Sequence, residues 1–168
     1  KIDLGKTEEL TFKGAAGDDV QMFVVYPPGF DAAKKYPLVQ MIHGGPVGTF
    51  GDDFGFRWNA HAFAAPGYIV AMVNFHGSSS FGQKWVESIL GAHADKPFDD
   101  VMKATDVLVK RGSVDAGRMA AVAPNDRPQM STRGQRGKPW TNSSIRATID
   151  QAKAQAKGMS LPLTKACP

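Results

Sequence analysis

The amino-acid sequence predicts an α/β fold, on three observations. Near-continuous apolar runs of strand length stand at residues 36–42, 68–74 and 119–123. Segments with helical periodicity fall between them. The first two runs end abruptly in glycine-containing turns, His43-Gly44-Gly45-Pro46 and Phe75-His76-Gly77-Ser78. Strands with so little alternation belong to a sheet covered on both faces, and a parallel sheet flanked by helices is the usual case.

Taken in order, residues 9–12 and 20–26 are β-rich runs joined by Gly14-Ala15-Ala16-Gly17-Asp18-Asp19, which predicts an antiparallel hairpin. Pro27-Pro28-Gly29 stops the second strand. Residues 36–42 (YPLVQMI) form the next strand, and residues 59–65 a short helix closed by Pro66-Gly67. Residues 68–74 (YIVAMVN) return as a strand, and residues 83–90 offer a second short helix. Residues 98–111 are the strongest helix. Asp99 and Asp100 suit its first turn, Lys110 and Arg111 its last, and Gly112 ends it, matching the helix dipole at both ends. Val101, Ala104 and Leu108 repeat at helical spacing, with Val107 beside them. Two adjacent carboxylates could also serve acid/base chemistry, but the first-turn role explains Asp99 and Asp100 more simply. Residues 119–123 close the series as a strand, and residues 144–157 form at best a weak helix with little apolar area.

Composition bounds the function. A length of 168 residues is one ordinary domain, and 42% hydrophobic with 21% charged residues is globular, not disordered, collagenous or coiled-coil. The longest apolar window is strand-sized, so no membrane-spanning helix is expected. The chain opens on Lys1 with nothing nearby resembling a signal peptide, and reads as excised from something longer. Cytoplasmic and periplasmic settings both stay open. The single cysteine, Cys167, allows no internal disulfide and no zinc-finger pattern. His43, His61, His76 and His93 lack metal-ligand spacing, so no metal and no cofactor are expected.

Charge divides the chain. Residues 1–123 carry 12 basic and 14 acidic side chains; residues 124–168 carry 8 basic and 2 acidic. Every Phe and Tyr precedes Pro124. This shift places a boundary there, with a basic tail over residues 124–168. A solvated or poorly ordered tail is the plainer reading, and attachment to nucleic acid the alternative.

The chemistry concentrates at His43-Gly44-Gly45-Pro46. Glycines at the carboxyl end of a strand let the backbone turn its N–H groups into a pocket, as in the oxyanion-hole loop of α/β-hydrolases. The bland alternative is a tight turn without a catalytic task. A phosphate loop is excluded, because no Gly-Lys-Ser/Thr follows.

The surrounding wording resembles the catalytic domain of the prolyl oligopeptidase family of serine peptidases, nearest to its dipeptidyl-peptidase V-like and acylaminoacyl-peptidase-like members. The matching stretches are KKYPLVQMIHGGP (34–46), FRWNAHAFAAPGYIVAMVNFHGSSSFGQ (56–83) and KPFDDVMKATDVLVKRGSVDAGRMAAVA (96–123), in the family's order and spacing. The resemblance covers roughly residues 6–123. It implies a partial α/β-hydrolase fold, an N-terminal antiparallel hairpin followed by parallel strands with helices on both faces, and peptides as substrates. It also implies that Gly45 offers an oxyanion-hole N–H, with Gly44 helping to shape the turn and His43 a further oxyanion-hole candidate. Asn74, His76, Gly77 and Ser78 resemble the family's Asn-x-Arg-Gly-Ser loop beside the substrate, with His76 in place of the usual Arg.

After Ala123 the resemblance stops. The family continues into the nucleophile elbow Gly-x-Ser-Tyr-Gly-Gly, whereas this sequence reads Pro124-Asn125-Asp126-Arg127-Pro128. No Gly-x-Ser-x-Gly occurs anywhere, and all four histidines precede the expected elbow. Triad order in α/β-hydrolases is Ser, Asp or Glu, then His, so nucleophile, acid and base are all missing. Ser78, Ser79 and Ser80 are poor substitutes, since Phe81 stands where an elbow needs glycine, and Cys167 has no neighbouring His. Asn142-Ser143-Ser144 is a formal glycosylation sequon, a match common by chance. The expectation is a peptidase domain cut short by truncation, frameshift or fusion, inactive alone. The alternatives are a non-catalytic α/β binding module or a nucleic-acid-associated protein. An exposed sheet edge at residues 119–123 suggests self-association, and no membrane partner is expected.

Overall fold

The structure is a computed structural model, and it describes residues 3–44, 47–56, 58–93 and 95–123. The expected boundary at Pro124, the basic tail and the weak helix at 144–157 lie outside the described residues.

Among the described residues, five strands and three helices follow one another: β1 (Thr7–Lys13), β2 (Asp19–Val25), β3 (Tyr36–Met41), α1 (Ala60–Ala64), β4 (Ile69–Asn74), α2 (Gln83–Glu87), α3 (Asp95–Lys110) and β5 (Val114–Val122). They build one sheet of order β1-β2-β4-β3-β5. β1 and β2 form the expected antiparallel hairpin, joined by a 3-10 turn at Ala15–Gly17. β2 runs antiparallel to β4, while β3 is parallel to both β4 and β5. This is a partial α/β-hydrolase sheet.

The near-continuous apolar strands are explained by two cores. On one face Val20, Met22 and Val24 of β2, Leu38 of β3 and Ile69, Ala71 and Val73 of β4 pack against Ala104 and Leu108 of α3. On the other, Phe23 and Val25, Val39 and Met41, and Val70 and Met72 pack against Ala60 and Ala64 of α1. All six residues of β4 are buried. Helices therefore cover both faces, with strand residues alternating between them.

Several boundaries differ from expectation: α2 stops at Glu87, three residues short of the expected 90, and β1 begins two residues early at Thr7. α3 begins at Asp95, three residues early, because Pro97 is tolerated in a first turn whose N–H groups have no intrahelical partner. β5 begins at Val114 because the Asp and Gly after it form an irregularity within the strand. Tyr36 pairs with Val114 and Leu38 with Met119, and the intervening chain folds on itself, with Gly117 N donating to Asp115 Oδ1 at 2.9 Å.

The topology fixes where a ligand would go. The chain leaves β3 toward α1 on one face and leaves β4 toward α3 on the other. Loops that diverge from adjacent parallel strands open a crevice at the carboxyl ends of those strands, where α/β proteins place their sites.

Candidate functional site

The two turns singled out from sequence meet in that crevice. His43 follows β3, and its Nε2 lies 2.8 Å from Ser78 Oγ on the loop after β4. Its ring stacks on Phe75, with centroids 4.1 Å apart, and meets the edge of Phe50. His43 and Ser78 are both buried. Burial lowers the pKa of His43, the Gly44 backbone offsetting part of the effect, so the neutral imidazole is favoured. Its Nδ1 meets no hydrogen-bond partner among the described residues.

The loop after β3 is compact by necessity. A Cβ at Gly48 would lie 2.7 Å from the Gly44 carbonyl oxygen and 2.7 Å from His43 Nδ1, so only glycine lets the chain fold back there. Ser79 N donates to Gly48 O at 2.9 Å and ties the two loops together. Gly45, the expected oxyanion donor, lies outside the described residues; Gly44 is the last described residue before it.

Asn74 ends β4 and anchors the same loop. Its Oδ1 accepts from Phe50 N at 2.7 Å and Thr49 Oγ1 at 3.3 Å, and its Nδ2 donates to Phe50 O and to Gln21 Oε1. Every hydrogen-bonding capacity of this buried amide is used on protein partners. Gly77 has φ +93°, the left-handed region that favours glycine, and Ser80 adopts φ +76° without that excuse.

His76 is buried within the fold. Its ring stacks on Trp85 at 3.9 Å, with Nδ1 2.7 Å from Asp100 Oδ2 and Nε2 3.2 Å from Asp18 Oδ2. Sequence reasoning placed Asp100 with Asp99 in a first helical turn, and this is corrected. Asp99 is the surface residue, 2.8 Å from Lys103, whereas Asp100 has no exposure at all. The signal was present: Asp100, Ala104 and Leu108 stand four apart, which puts a carboxylate on the apolar stripe. Asp18, Gly48, Phe50 and Trp85 went unnoticed, because their roles depend on contacts distant in sequence.

No cluster of three or more potential metal ligands occurs among the described residues. No described helix is long and apolar enough to cross a membrane.

This fold, with two loops converging at the carboxyl ends of β3 and β4, is that of α/β-hydrolase peptidases. It is similar to the acylaminoacyl peptidase of Pyrococcus horikoshii, with a TM-score of 0.66 at 20% identity over 73% of this chain and 20% of that one. It is also similar to dipeptidyl peptidase 4 of Porphyromonas gingivalis, with a TM-score of 0.60 at 26% identity over 71% of this chain and 17% of that one. The profile of the prolyl oligopeptidase family matches residues 54–122. Among relatives, the probable dipeptidyl-peptidase 5 of Aspergillus clavatus is 43% identical over 102 residues, 61% of this chain and 14% of the relative. Dipeptidyl-peptidase 5 of Porphyromonas gingivalis is 40% identical over 115 residues, 68% of this chain and 17% of the relative. The chain thus spans about one-sixth of the length of such relatives.

Proposed function

We propose that residues 1–123 are the oxyanion-side half of a prolyl oligopeptidase-type serine peptidase domain, followed by a basic tail of separate character over residues 124–168. In its complete form the domain removes dipeptides or other short pieces from peptides through an acyl-enzyme. The convergence of His43 with Ser78 at the carboxyl ends of β3 and β4 carries this reading. The loop that holds His43 continues into Gly44 and Gly45, whose backbone N–H groups would receive the developing oxyanion. Asn74, His76, Gly77 and Ser78 shape the opposite wall. The names of the dipeptidyl-peptidase relatives support the substrate class.

The 168-residue chain itself performs no peptidase reaction. An oxyanion donor acts only after a nucleophile has attacked, and attack needs a serine activated by a histidine that a carboxylate orients. Gly-x-Ser-x-Gly is absent, and no histidine follows His93. The His43–Ser78 pair is no substitute: Ser78 is fully buried, and His43 Nδ1 meets no carboxylate among the described residues. The missing elbow also favours a second reading, a non-catalytic module that binds peptides in the same crevice.

The test is labelling with a fluorophosphonate probe, alongside hydrolysis of dipeptidyl and acyl-aminoacyl arylamides. We expect neither labelling nor hydrolysis. Stoichiometric labelling of a serine, lost when that serine becomes alanine, would overturn the inactivity.

A further inference from the structure

We infer that Asp100 is a positioning residue for the candidate site, its buried carboxylate holding the loop after β4 in the shape that brings Ser78 to His43. The inference rests on the reading of that crevice as the oxyanion side. It explains a feature that packing alone does not: a carboxylate with no exposure on the apolar stripe of α3. Burying a charge there is costly unless it is paired and hydrogen-bonded, and a well-packed apolar residue would often serve stability as well or better.

Both carboxylate oxygens are directed at turns. Oδ1 accepts from Ala15 N at 2.7 Å, in the turn between β1 and β2. Oδ2 accepts from His76 N at 2.8 Å and also meets the His76 ring at 2.7 Å. One oxygen thus fixes both the backbone and the side chain of His76. The residue before it, Phe75, is the one stacked on His43, and Ser78 two residues later is the one bonded to it. Trp85 locks the same segment from α2: its Nε1 donates to Phe75 O, its carbonyl accepts from Gly77 N, and its ring covers His76. The β1–β2 turn is shaped around the carboxylate as well. A Cβ on Gly14 would lie 2.4 Å from Asp100 Oδ1 and 2.3 Å from Val20 Cγ2, and Lys103 caps the Gly14 carbonyl at 2.7 Å.

Amide hydrogen exchange on the full 168-residue chain tests this, because His76, Gly77 and Ser78 all donate backbone hydrogen bonds. In Asp100→Asn their exchange should accelerate at least about tenfold relative to the amides of β4. Leu108→Ala, which removes core packing two turns further along α3, should accelerate loop and strand together. Ala15→Pro should act like Asp100→Asn, since it removes the N–H that Asp100 Oδ1 accepts from outside the site, and it decides the matter if Asp100→Asn does not fold. Acceleration of loop and strand in step in the deciding variant would overturn the inference. So would the absence, in the unaltered chain, of a scalar coupling between the His76 amide nitrogen and the Asp100 carboxyl carbon. These readouts involve no peptidase chemistry, so they succeed or fail separately from the oxyanion reading.

Discussion

Asn74 and His43 show how much of the crevice depends on single side chains. Asn74→Leu keeps the volume and removes four hydrogen bonds, stranding Phe50 N, Phe50 O and Gln21 Oε1 near the sheet end. Stranding a fully buried group costs about 1–3 kcal/mol, and these groups are part-buried, so a loss of about 1–2 kcal/mol is expected in urea unfolding. A loss under about 0.5 kcal/mol would mean that the loop after β3 is held by other contacts. His43 sets a pH dependence. Its folded-state pKa lies below the ordinary 6.5, so the unfolded chain binds a proton there more readily than the folded one. Stability attributable to this residue is present above about pH 6.5 and declines as pH falls below it. Glu8 adds a second decline further down, because the Arg111 guanidinium holds its carboxyl below the usual 4.5. Both signs point to acid destabilisation. His43→Phe should make the loss between about pH 7 and pH 5 shallower, as measured by thermal unfolding across that range. An unchanged slope would show that His43 carries none of it.

The helices and strands were legible in the sequence where periodicity was strong, and their ends were not. β3 and β4 read as buried strands because neither alternates, and both prove to be flanked by cores on their two faces. α3 was visible from Val101, Ala104 and Leu108, but its start was misplaced by Pro97, whose effect depends on which turn it occupies. Asp100 was misread for the same reason. A helix beginning at residue 98 makes it a first-turn residue; the start at Asp95 takes it out of that turn, and its spacing with Ala104 and Leu108 puts it on the buried face. The meeting of His43 with Ser78, 35 residues apart, depends on strand order, which local sequence does not encode. At this scale the tight loop after β3 is the sensitive part. Gly48→Ala should cost about 1–3 kcal/mol, since the added methyl would press on the Gly44 carbonyl and the His43 ring. The check is denaturant unfolding together with the chemical shifts of His43 and Ser78. Unperturbed shifts at full stability would show that the loop accommodates a side chain.

The described molecule is a five-stranded sheet whose last strand, β5, pairs with β3 on one side and has no strand beyond it among the described residues. Ala120, Ala121 and Val122 are only half buried there. An apolar edge of that kind invites pairing with another chain, so we expect weight-average mass to rise with concentration in sedimentation experiments. Ala121→Lys should suppress the rise, and a concentration-independent monomer would remove this account of the edge. At the scale of the whole domain, we propose that residues 1–123 supply a working oxyanion side that lacks its nucleophile. The most direct measurement is fluorophosphonate labelling of a chimera in which residues 124–168 are replaced by the remainder of a dipeptidyl-peptidase 5 catalytic domain. A folded chimera should label at its elbow serine and hydrolyse dipeptidyl arylamides, with the rate falling at least about tenfold when Gly48 becomes Ala. A folded chimera that neither labels nor hydrolyses would contradict the claim.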